Sequence, residues 1–213
     1  MKGILARKIG MTRFISPETG EMSPVTVLEA PKNSVLQVKT SGKDGYSAIV
    51  LGAFERSSKK KNKNQNYKFS KELRLEDGTE IKEGDSISLE SLQGVESVTI
   101  SAISKGRGFA GVIKRHNFQR GRETHGSHHH REPGSVGMCA KPGRILRGKR
   151  MPGHYGNVQK TIRSVKVIHI DLENNLIAIK GPVPGSKNNF VFLSVAGKSI
   201  YMIARVLKKE VLS

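Results

Sequence analysis

Cysteine is almost missing from this chain: Cys139 is the only one in 213 residues. The chain therefore cannot close an internal disulfide or build a zinc site from several thiolates. That usage fits a reducing, intracellular compartment. No stretch approaches the ~20 consecutive apolar residues of a membrane-spanning helix, so no membrane partner is expected. The first residues, Met1 to Thr12, lack the apolar block of a secretory signal. Acidic side chains are also scarce, with 18 Asp and Glu against 37 Lys and Arg. A net charge of +19 and a pI near 10.2 call for a polyanionic partner, nucleic acid before an anionic membrane face. What is present suffices for a core, because Leu, Ile, Val and Phe supply 55 residues.

The charge is unevenly placed. Residues 1–103 carry a net +3 and residues 164–213 a net +4, whereas residues 104–163 carry +12 with only Glu123 and Glu132 as acids. That middle segment also holds 11 of the 23 glycines and six of the seven histidines. This is a compositional boundary. It divides the chain into a discontinuous globular domain, 1–103 plus 164–213, and an inserted basic extension at 104–163.

Both outer parts read as β structure. Short runs rich in β-branched residues lie at 24–28, 35–38, 48–51, 86–89, 98–103, 165–170, 176–179 and 190–195. Turn signals bound them, at Glu18-Thr19-Gly20, Gly42-Lys43-Asp44-Gly45, Asp77-Gly78 and Asn174-Asn175. Such spacing predicts a mainly β fold, a closed barrel or a sandwich. The stretch 200–209 suits a strand or a helix equally. Between Gln119 and Asn157 the few apolar residues follow no period, and Pro133, Pro142 and Pro152 interrupt regular elements. A loop beyond about 15 residues is functional or disordered. This one needs an anionic partner to fold against.

Four patterns in the chain bear on chemistry. Gly106-Arg107-Gly108-Phe109-Ala110-Gly111 spells a dinucleotide-binding glycine motif, but no second strand ending in an acid follows it, as that reading requires. The simpler reading is close backbone approach to phosphates, with Lys105, Arg107, Lys114 and Arg115 supplying charge. The cluster His125, His128, His129 and His130 resembles metal-ligand material, with Cys139 as a conceivable fourth donor. Adjacent His129 and His130 suit one tetrahedral ion poorly, so neither a metal nor any other cofactor is assigned. A metal-dependent nuclease would need clustered carboxylates, which the segment lacks. Spacing leaves a His116–His125 acid–base pair formally open, but the chain is read as a non-enzyme. Lys59–Lys63 is a solvated loop or a further phosphate contact.

Ordered motifs then point to one family. "RKIGMT" (Arg7–Thr12), "SKGRGFAGVIKRHNF" (Ser104–Phe118), "THGSHHHREPGSVG" (Thr124–Gly137), "GKRMPGHYGN" (Gly148–Asn157) and "NLIAIKGPVPG" (Asn175–Gly185) together resemble the bacterial-type large-subunit ribosomal protein L-three family. The resemblance implies a translation-protein-type β-barrel built from both chain ends, with a long extension entering large-subunit (23S-type) rRNA. It implies a cytoplasmic, ribosomal location, a role in early assembly, and an extension tip near the peptidyl-transferase centre. It further implies neighbours among the large-subunit proteins numbered fourteen and nineteen, and no homo-oligomer. Phosphate contacts are expected from Lys105, Arg107, Lys114, Arg115, Arg120, Arg122, Arg131, Arg144, Arg147, Lys149 and Arg150. His116, His125, His128, His130, His154 and Tyr155 are expected at rRNA bases or riboses, and Gly153, Gly156 and Asn157 are expected to shape the tip. The tail from Ser199 to Ser213 matches no pattern.

Overall fold

Alternating burial along the first strand sets the architecture. The computed structural model describes residues 2–17, 19–56, 66–74 and 81–195. Its first strand, β1 (Lys2–Ile15), turns Ile4 and Ala6 to one side and Leu5 to the other, all fully buried. Successive side chains of a strand face opposite ways, so β1 separates two cores. The further strands are β2 (Met22–Glu29), β3 (Asn33–Lys39), β4 (Ala48–Glu55), β5 (Tyr67–Arg74), β6 (Ser86–Ile87), β7 (Ser97–Ile103), β8 (Phe109–Ala110), β9 (Gly153–His154), β10 (Gln159–Asp171), β11 (Leu176–Lys180) and β12 (Phe190–Val195). Two short helices, α1 (Ser41–Asp44) and α2 (Val112–His116), complete the described elements apart from a 3-10 turn at Leu89–Leu92. No described helix is long and apolar enough to cross a membrane.

Six strands close into a barrel in the order β1-β12-β7-β10-β11-β2. Its interior holds Ile4, Leu28, Ile100, Ile177, Ile179 and Leu193, and Leu89 and Leu92 of the 3-10 turn pack into the same cluster. Full burial of each such side chain contributes about 1.5–3 kcal/mol. The opposite faces of β1 and β12 present Leu5 and Phe192 to a four-stranded sheet, β5-β4-β3-β6, where Val35, Ile49, Leu51 and Leu73 meet them. Fully buried Asn33 ties β1 to this sheet: its Nδ2 donates to the Leu5 and Pro31 carbonyls, and its Oδ1 accepts from the Leu5 amide at 3.2 Å. Buried Lys8 donates from Nζ to the Val183 carbonyl at 2.6 Å. In the turn between β10 and β11, the Asn174 side chain and backbone amide hydrogen-bond Asp171 and hold its carboxyl below the ordinary value.

The predicted strands fall within β2, β3, β4, β7, β10, β11 and β12. At 86–89 the strand stops at Ile87, because Leu89 begins the 3-10 turn. Strands β1 and β5 were not predicted, nor was the first half of β10. The Asp77-Gly78 turn, the Lys59–Lys63 run, the 200–209 element and the Ser199–Ser213 tail lie outside the described residues, as does Glu18.

The chain divides into two compact units, Met1–Ile103 with Gln159–Ser213, and Ser104–Val158. The second crossing therefore falls five residues before the boundary suggested by charge. The reason is local: Gln159 to Ile162 pair with Ile103 to Ile100 across β10 and β7, so these residues join the barrel despite their polarity.

Candidate nucleic-acid interface

The second unit has an ordered base. Leaving Ile103, the chain meets its own return strand: the Ser104 amide donates to the Val158 carbonyl at 2.9 Å. Arg107 donates its amide to Tyr155, and Tyr155 donates back to Gly108, at 2.8 and 2.9 Å. The pairing continues as the β8–β9 ribbon, Phe109 opposite His154 and Ala110 opposite Gly153. The Arg107 guanidinium lies over the Tyr155 ring, 5.0 Å from its centroid.

Helix α2 follows at Gly111 and ends at Asn117, whose φ of 58° is a left-handed cap that asparagine tolerates. Its Val112 is buried, as is the neighbouring Ala110. From its last turn Arg115 Nη1 donates to the Met151 carbonyl at 2.6 Å, and His116 Nε2 lies 3.0 Å from the same oxygen. A carbonyl only accepts, so Nε2 carries the proton. A Cβ at Gly153 would lie 2.8 Å from that guanidinium. Gly156 has φ +77°, and a Cβ there would overlap the Lys105 carbonyl oxygen. Only glycine fits that crossing.

From Asn117 to Arg150 no residue is buried. The internal bonds of this stretch are short-range and exposed. Arg120 pairs with Glu123, His129 with Glu132, His130 Nδ1 lies 3.0 Å from the Arg122 carbonyl, and Gly121 donates to the His130 carbonyl at 3.1 Å. The apolar side chains Met138, Ile145 and Leu146 are exposed, as are Val136 and Cys139.

Lys105, Arg107, Lys114, Arg120, Arg122, Arg131, Arg144, Arg147, Lys149 and Arg150 are all exposed. With Lys141, they form the cationic surface of the unit. Arg115 and His116 are half-buried, as is Tyr155, but these two alone of the expected contacts grip the Met151 carbonyl. Their role in this unit is to hold the return strand, which no sequence signal indicated. Gly153, Gly156 and Asn157, expected at the tip, lie instead in the paired base opposite 105–110. The irregular 119–148 stretch is what lies beyond that base. His125, His128 and His130 are exposed, and nothing joins His116 to His125. Among the described residues no three His, Cys, Asp or Glu side chains converge as metal ligands.

Comparison with known proteins gives a consistent answer. A family model described as Ribosomal protein L3 matches residues 82–174. The Large ribosomal subunit protein uL3 of Oceanobacillus iheyensis is 41% identical over 207 residues, covering 92% of this chain and 98% of the relative. The protein of the same description from Desulforapulum autotrophicum is 44% identical over 200 residues, covering 89% and 96%. That from Gloeothece citriformis is 44% identical over 204 residues, covering 91% and 96%.

Proposed function

Because the chain belongs to the ribosomal protein L3 family, we infer that it is a structural constituent of the large ribosomal subunit, located in the cytoplasm, and not an enzyme. Its second unit binds large-subunit rRNA. The observation that carries this reading is the set of ten exposed cations between Lys105 and Arg150 named above, in a stretch where Ala110 and Val112 alone are buried. Ordering such a stretch costs about 1–2 kcal/mol per residue in backbone entropy. Apolar burial within it is too small to offset that cost. Phosphate neutralisation, with its counterion release, supplies the missing free energy. The barrel and its companion sheet are stable by their own cores and serve as the fixed body.

In this reading the 119–148 stretch threads between rRNA helices and takes its shape from them. The protein joins early in assembly, and the stretch approaches the peptidyl-transferase centre. Large-subunit proteins numbered fourteen and nineteen are its neighbours. Histidines 125, 128 and 130 contact ribose and base edges, and the arginines hold phosphates through their planar forks.

The test is the salt dependence of binding between the full chain and large-subunit rRNA. With about ten cations each on a phosphate, log affinity falls against log salt with a slope of about −7 to −9. A slope of about −2 or shallower contradicts a phosphate-threading segment.

A further inference from the structure

Phe109 is 79% exposed, the most exposed large apolar side chain among the described residues. Neither core cluster includes it. Yet its backbone sits in the β8–β9 ribbon, paired with His154 and flanked by the Arg107–Tyr155 and Tyr155–Gly108 hydrogen bonds. The ring is thus presented from a strand and joins no apolar cluster among the described residues. Cross-strand partners direct their side chains to the same face, with Cβ atoms about 4.5–5.5 Å apart. Exposed His154 therefore shares the Phe109 face. Nothing lies within 4 Å of a Cβ built at Gly108 or Gly111, the glycines on either side of the Phe109–Ala110 strand. Exposed Lys105, Arg107 and Lys114 surround the position in sequence.

An apolar protein surface covering this ring would have to desolvate those cations, an unfavourable exchange. A nucleotide brings a π-face for the ring and a phosphate for the cations together. We propose that Phe109 is the stacking platform for one unpaired nucleobase of large-subunit rRNA, and that the His154 imidazole hydrogen-bonds the edge of that base. This rests on the rRNA-binding reading above, and it adds a site that reads base planes where the rest of the unit reads phosphates. Base–aromatic stacking tolerates any base and depends on the π-face.

The chain contains no tryptophan, so the Phe109→Trp variant carries a single reporter at the site. The full-length variant is titrated with large-subunit rRNA, with excitation where tyrosine does not absorb. Stacking quenches the indole several-fold, with rRNA affinity close to that of the natural chain. The Phe109→Leu variant, which keeps apolar bulk without a π-face, binds about 5- to 150-fold more weakly. Unchanged emission on tight binding, or natural affinity in the Leu variant, overturns the stacking site and leaves the rRNA-binding reading standing. Emission that brightens and shifts to the blue only in complete subunits, and not on bare rRNA, overturns it in favour of a protein partner. Absence of rRNA binding by the natural chain overturns the underlying reading and this site with it.

Discussion

Excising residues 119–148, with a short glycine–serine link from Phe118 to Lys149, is expected to leave a folded barrel that no longer joins large subunits stably. None of the deleted residues is buried. The retained base keeps its own bonds: Arg107 to Tyr155, Arg115 and His116 to Met151, and the β8–β9 pair. The melting midpoint should therefore move by no more than about 2–4 °C, the shift expected of ~1 kcal/mol or less in a chain of this size. Binding should change far more. The excision removes Arg120, Arg122, Arg131, Lys141, Arg144 and Arg147, and the salt slope becomes shallower by about 4–5. Sedimentation of subunits from cells expressing the shortened chain reads the outcome. Normal incorporation would show that the barrel alone carries the binding.

Gly156→Ala is expected to open the base of the second unit while leaving the barrel intact. At φ +77° an alanine is strained by about 1–2 kcal/mol. Its Cβ would also overlap the Lys105 carbonyl and crowd Gly106 Cα and the Arg107 nitrogen at 3.0 and 3.1 Å. Those neighbours are backbone, so they cannot swing aside without breaking the Arg107–Tyr155 and Tyr155–Gly108 hydrogen bonds, each worth about 0.5–1.5 kcal/mol. Together these terms come to about 3 kcal/mol, so the Arg107 and Tyr155 amides should exchange about 100-fold faster. Barrel amides such as Ile100 and Leu193 should not change. Gly134→Ala is the control, since its φ of +73° carries the strain but nothing lies within 4 Å. Equal effects at the two positions would show that steric overlap at Gly156 plays no part.

Much of the body was legible because its chemistry is repetitive. The strands β7 and β11 alternate apolar residues against a core, β12 carries a continuous apolar run buried on both faces, and the Asn174-Asn175 turn marks the hairpin between β10 and β11. Strand β1 escaped because its interior positions include Lys8, whose ammonium ends on main-chain carbonyls and breaks the apolar pattern. The first half of β10 escaped because Gln159 to Ser164 is exposed on every residue, so pairing with β7 leaves no hydrophobic signature.

The candidate interface was legible in its charge and not in its geometry. Composition alone located the cations, since a net +12 within one segment is independent of fold. Composition could not show that Gly153 to Asn157 return beside Lys105 to Ala110, because that proximity is long-range. Nor could it show that Arg115 is spent on a carbonyl while Lys114, one residue earlier, is free to face solvent. In sequence Phe109 stands only as a letter of the 106–111 glycine motif. Only the structure shows that its ring is exposed and joins no apolar cluster among the described residues.

Hydrogen exchange of the free chain, compared with the chain inside purified large subunits, tests most directly whether rRNA shapes the basic segment. In the free chain the amides of 119–148 should exchange at rates close to an unfolded peptide's, while Arg107, Tyr155 and the barrel strands stay protected. Inside the subunit those same amides should become slow. Strong protection across 119–148 in the free chain would mean that the segment folds unaided, which contradicts the account.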